Sequence, residues 1–215
     1  MTLELQVEAA PATPTAGFSR LYYDSTLKRF GLLDEFGQKV MLPGVLGTTS
    51  STAASTNATE TKSMIGTVVG SYTLGASHLL VGKMFRLECW GFITTSGTPG
   101  TINWQVKIGS VVIASTTALT PTISLAGRPW HLNCVFTVRA VGSGTSANVF
   151  AQGLLEYAPA TPSSATTSYT TWQMVNTAVS SGFDSTVTNL VDCVTTTSSN
   201  VNTISCSNSQ LEMLN

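Results

Sequence analysis

Three observations predict an all-β protein. Charged residues make up only 10% of the 215-residue chain, Thr (34) and Ser (25) together fill 59 positions, and short apolar runs alternate with polar residues along most of the sequence. Thr and its β-branched relatives fit a pleated sheet, whereas the strong helix formers Glu, Lys and Arg are scarce. Alternation with a period of two is the mark of a half-buried strand. The expected architecture is a small N-terminal three-stranded meander with an extended arm, followed by an antiparallel jelly-roll sandwich.

The arm comes first. Leu3, Leu5 and Val7 alternate with Glu4, Gln6 and Glu8, and Pro11 and Pro14 then impose an extended stretch. Three apolar runs follow, Phe18–Tyr23, Arg29–Leu33 and Lys39–Leu42, separated by the turn-like segments 24–28 and 34–38. They predict the meander. At roughly 30 residues it is smaller than the ~40 at which a domain usually needs a metal, disulfides or association, and it contains no Cys or His. Association is the remaining route, so Leu3, Leu5, Val7, Phe18, Tyr22, Tyr23, Phe30 and Phe36 are the candidate contacts to a particle or partner chain; packing on the same chain's larger domain is the plainer alternative.

Residues 1–43 hold nine of the 21 charges and are read as one domain. Residues 44–62 are read as a flexible linker, because Gly47–Thr59 within them lacks periodicity and large side chains. Residues 63–215 carry strand signals at short intervals, beginning with 65–74. Phe85, Leu87 and Cys89 alternate with polar neighbours; after the turn at 96–100, Ile102, Trp104, Val106 and Ile108 do the same. Val111–Ile113 and Pro121–Leu125 are shorter candidates. Trp130, Leu132, Cys134, Phe136 and Val138 form the cleanest alternation, and runs at 149–157, 171–175, 186–194 and 201–213 complete eight or nine strands. That number and spacing suit a jelly roll.

Charge narrows the partners. The net charge of -1 supplies no field to gather nucleic acid or an anionic membrane, and no run of about 20 apolar residues predicts a membrane helix. The acidic start lacks the basic region of a signal peptide, so export by that route is not expected. Through Arg139 the ten basic groups outnumber seven acids, and beyond it there are four acids and no Lys or Arg. A Thr/Ser/Val strand surface with so little charge is prone to edge pairing, which burial in an oligomer would remove.

Chemistry-bearing groups are few. His78 and His131 are the only histidines, with no Gly-x-Ser-x-Gly elbow to mark a nucleophile, so no catalytic residue, metal or cofactor is predicted. His131 reads as an outward-looking strand residue. Cys89 and Cys134 lie in the apolar phase of their strands and read as small buried hydrophobes, while Cys193 and Cys206 could meet on neighbouring strands and bridge. Trp104 and Trp130 read as core. Trp90 and Trp172 are the candidates for stacking on a glycan.

The segment Pro14-Thr-Ala-Gly-Phe-Ser-Arg-Leu-Tyr-Tyr-Asp, with Lys28-Arg-Phe-Gly-Leu-Leu-Asp-Glu-Phe-Gly, resembles a meander near the start of many tailed-bacteriophage virion proteins, fibres and capsid decoration proteins among them. The stretches Tyr72–Gly91 and Ala151–Tyr157 look like strand regions of the jelly roll that trails it in that group. The resemblance implies a homotrimeric structural protein of the virion, attached through its N-terminal part to the major capsid protein or another virion protein. A chain without repeats or a coiled-coil shaft points within that group to a compact decoration, cement or head-fibre protein. A tail-fibre or carbohydrate-binding module that recognises a host-surface glycan is the alternative.

Overall fold

The computed structural model describes residues 7–8, 12, 20–24, 29–33, 39–41, 44–49, 53–55, 61–65, 72–76, 78–159, 169–175, 182–199 and 202–215. Every regular element among them is a strand. The chain folds as two compact units, Met1–Gly44 with Leu214–Asn215, and Val45–Met213.

In the first unit, β2 (Arg20–Asp24), β3 (Arg29–Leu33) and β4 (Lys39–Met41) form the antiparallel meander. The arm contributes β1 (Val7–Glu8), which joins β2 in parallel through Val7↔Tyr23 and Glu8↔Asp24. Tyr22 stands directly across from Gly31 in the register, and it is fully buried within its chain.

The second unit is built on eight long strands. They are β9 (Met84–Thr94), β10 (Ile102–Ile108), β11 (Val111–Ser115), β12 (Arg128–Ala140), β13 (Asn148–Tyr157), β14 (Thr170–Val175), β15 (Asn189–Thr197) and β16 (Thr203–Met213). Their antiparallel pairs are nested: β9 with β16, β10 with β15, β11 with β14 and β12 with β13. This is the pairing of a long hairpin rolled up on itself, the jelly-roll arrangement. Further pairs, β9 with β12, β13 with β14 and β10 with β11, join the hairpins into one path, β16-β9-β12-β13-β14-β11-β10-β15. The result is a jelly-roll-like sandwich whose sheet nearly closes into a barrel.

Residues 44–62, expected as a linker, contribute strands instead. β5 (Gly44–Thr49) and β6 (Ala53–Ser55) lie beside β16, and β7 (Thr61–Ser63) beside β15, which also pairs β8 (Tyr72–Leu74). Backbone pairing at a sheet edge needs no apolar side-chain period, so the sequence pattern is silent there. Pro121–Leu125 departs in the other direction. It turns rather than extends: Ser124 has φ 55°, and the Thr122 amide donates to Tyr157 Oη at 3.2 Å.

The long strands form because one face of each is dry. On β12 the five residues from Trp130 to Val138 in the apolar phase are all buried, and those between them are half-buried. Phe85 and Phe136 stack at 5.2 Å between ring centres, while Trp104 of β10 meets Trp130 of β12 at 6.3 Å although the two strands do not pair. Tyr72 Oη and Ser209 Oγ, 2.9 Å apart, bridge β8 and β16 through the interior. All four cysteines are buried free thiols, so the bridge weighed for Cys193 and Cys206 is not formed. Burial pushes the Cys134 thiol up to about 12 and raises that of Cys89 as well.

Asp192 on β15 carries a testable consequence of burial. Ser63 Oγ donates to its Oδ1 at 2.7 Å, yet desolvation outweighs this bond and raises the carboxyl above its ordinary value. A folded-state pKa raised above the unfolded one favours the protonated group, so that contribution is complete at low pH and is lost as pH rises through the folded value. Asp192→Asn, which removes the ionised form, should therefore raise the melting temperature by a few degrees at pH 7 and leave it little changed below pH ~4. Thermal unfolding at both pH values checks this, and a lower melting temperature at pH 7 would show that the Ser63 bond dominates.

Candidate functional site

The period of two that buries one face of β16, β9, β12, β13 and β14 presents the other face outward. Strand register fixes what stands side by side there. One row runs Asn208, Trp90, His131, Glu156, Thr171; the next runs Gln210, Glu88, Asn133, Leu154, Gln173; the third runs Glu212, Arg86, Val135, Gln152, Val175. The face gathers Glu88, Glu156 and Glu212, which are all the glutamates beyond Glu60, and three of the four glutamines in residues 63–215. A groove of about 620 Å³ lies over β12, β13 and β14, lined among others by His131, Asn133, Gln152, Leu154, Glu156 and Gln173.

Half of this face is held rigid by its own bonds. The Glu88 carboxylate, 13% exposed, accepts from Asn133 Nδ2 at 3.1 Å through Oε1 and from Gln210 Nε2 at 2.7 Å through Oε2. Arg86 approaches it at 3.7 Å and donates to Glu212, the bond that most raises the Arg86 guanidinium above its ordinary value. His131 Nε2 lies 3.7 Å from Glu88 Oε1, beyond hydrogen-bond reach, and is buried without a hydrogen-bond partner. The imidazole stacks flat on Trp90, with ring centres 5.2 Å apart and planes 6° from parallel.

The other half is open. Gln152 and Gln173 are exposed, and neither side-chain amide makes a hydrogen bond within the described residues. Leu154 (46% exposed) and Val175 (43%) stand between them. Thr171 Oγ1 donates to Glu156 at 3.3 Å on the rim.

The expected site residues are placed unevenly. Trp90 is half-buried on the outward face. Trp172 is not on that face: it pairs with buried Leu155, shares the phase of buried Met174, and stacks on Tyr157 at 4.6 Å. Its ring is thereby covered from the core side of the sheet, so it cannot join Trp90 in a single stacking platform. Trp104 and Trp130 are core, each 2% exposed. Tyr22 is buried in its own chain, which withdraws it as a surface contact. Val7, Tyr23 and Phe30 lie on β1, β2 and β3. Leu3, Leu5, Phe18 and Phe36 lie outside the described residues.

No group of three or more His, Cys, Asp or Glu among the described residues is placed to hold a metal ion. Set against protein families, curated proteins and solved structures, the chain matches none.

Proposed function

We propose that the chain is a non-enzymatic structural protein of a bacteriophage virion, a homotrimeric capsid decoration, cement or head-fibre protein attached through residues 1–43. The observation that carries this reading is the division of the chain into a small unit, Met1–Gly44 with Leu214–Asn215, and a far larger β-sandwich. So small a unit is marginal in isolation and gains most from association. The resemblance of the Pro14–Asp24 and Lys28–Gly37 segments to virion meanders supplies the kind of partner, the major capsid protein or a neighbouring virion protein. Ten exposed large apolar residues on the described surface outside the β12–β14 groove, on a chain with so few charges, support burial between subunits.

The test is addition to purified undecorated capsids. The full chain should bind and raise their melting temperature, and a variant lacking residues 1–43 should not bind. Sedimentation of the full chain as a monomer, or full binding by the truncated variant, would overturn the reading.

A further inference from the structure

The groove over β12, β13 and β14 has a chemistry that attachment to a particle does not use. We infer that it is a binding site for a neutral, hydroxyl-rich ligand, an oligosaccharide, held by Gln152, Gln173 and the edge of His131. The inference does not depend on the virion reading, since it is carried by the groove alone.

Three properties of the groove select this class. First, an amide side chain offers both donors and an acceptor, which is what a sugar hydroxyl, itself donor and acceptor, requires. Gln152 and Gln173 stand on neighbouring strands, and among the described residues their side-chain amides have no hydrogen-bond partner. Neighbouring strands are about 4.8 Å apart and successive outward residues about 6.6 Å apart, so the two amides can engage adjacent hydroxyls or adjacent rings. Second, Leu154 and Val175 give the floor exposed apolar patches that suit the C–H faces of a pyranose, and the flat Trp90–His131 stack closes one side. The volume of about 620 Å³ falls within the ~300–1,000 Å³ of small-molecule sites.

Third, the local charge excludes the acidic alternatives. Three carboxylates (Glu88, Glu156, Glu212) share the outward face with two guanidiniums, Arg86 and, over the Phe150 ring beyond the groove, Arg139, so acidic groups are in excess. Glu88 and Glu212 are already engaged by Arg86, Asn133 and Gln210. A sialylated, sulfated or phosphorylated ligand would meet net repulsion, and nothing in the groove offers the paired cations such groups need. The Glu88 bonds instead fix Asn133, and the stack on Trp90 orients the His131 ring, before a ligand arrives, which lowers the ordering cost of binding.

The experiment titrates the full chain with two sets of soluble probes. One contains neutral hexasaccharides of glucose, galactose and N-acetylglucosamine, and the other contains oligosialic acid and heparin fragments. Saturation-transfer NMR and tryptophan fluorescence read the binding. At least one neutral hexasaccharide should bind, and the double variant Gln152→Ala/Gln173→Ala should weaken it by about tenfold or more, because two ligand hydrogen bonds are lost. Both residues are exposed and unbonded, so the variant should keep the parent melting temperature, which separates lost recognition from lost folding. Binding by the anionic set alone, no binding by any neutral probe, or undiminished binding by the double variant would overturn the proposal. None of these outcomes bears on capsid attachment, which the truncation of residues 1–43 tests separately.

Discussion

Gly91→Ala should destabilise the sandwich by about 3 kcal/mol or more, lowering the melting temperature by roughly 10 °C, although it adds one methyl group. Gly91 is buried on β9, with Trp130 across one neighbouring strand and Cys206 across the other. A Cβ there would stand 1.8 Å from Ser205 O, 2.8 Å from Ser205 C and 2.9 Å from Cys206 Cα. All three are backbone atoms, so no side-chain rotation relieves the clash and β16 must move. The move also breaks a second interaction, because Trp130 Nε1 donates to that same Ser205 oxygen at 3.1 Å. Just beyond, the register of β16 slips between Cys206 and Asn208, a bulge that the close approach at Gly91 accompanies. Gly97→Ala is the control. Nothing lies within 4 Å of its Cβ position, and its cost should be within about 0.5 kcal/mol of zero. Denaturant unfolding of the two variants checks the contrast, and equal midpoints would refute the steric account.

The same contrast between side-chain pattern and backbone contact explains what could be read from the sequence. β9, β10 and β12 were legible because each buries alternate residues on one continuous core, so Phe85–Cys89, Ile102–Ile108 and Trp130–Val138 announce both the strand and its dry face. β5, β6 and β7 were not, because short segments rich in Gly, Thr, Ser and Ala carry no alternating apolar period and pair through their backbones beside β16 and β15. The inward phase of Trp172 had a signal in the sequence: Met174 shares it, and two large apolar residues at i and i+2 mark an inward face. The outward face was hidden for a different reason. Glu88, Glu156 and Glu212 are separated by 68 and 56 residues, and only the pairing of β9 with β16, and of β12 with both β9 and β13, sets them on one surface. Register of that kind is non-local, so the composition of the face follows from the fold and cannot be found by scanning for motifs.

Trp104 and Trp130 separate packing from polar satisfaction at the centre of the sandwich. Their rings meet at a tilt of 57° with centres 6.3 Å apart, both are 2% exposed, and truncation of either to Ala should cost about 3–5 kcal/mol through lost burial and the cavity left behind. Replacement by Phe removes a similar volume at both sites but changes the hydrogen bonding in opposite ways. Trp130→Phe deletes the donor to Ser205 O. Trp104→Phe deletes an indole N–H that is buried with no hydrogen-bond partner among the described residues. An unsatisfied buried donor already bears its desolvation penalty, so its removal offsets part of the lost packing, whereas loss of a satisfied one adds to it. Trp130→Phe should therefore be the more destabilising by about 1–2 kcal/mol, measured by urea unfolding at constant m. Combined with Gly91→Ala, Trp130→Phe should cost less than the sum of the two single changes, since both break the bond at Ser205, while Trp104→Phe should add to Gly91→Ala independently. Equal costs for the two Phe variants, or additivity of Trp130→Phe with Gly91→Ala, would remove the Ser205 bond from the account of how β16 is held.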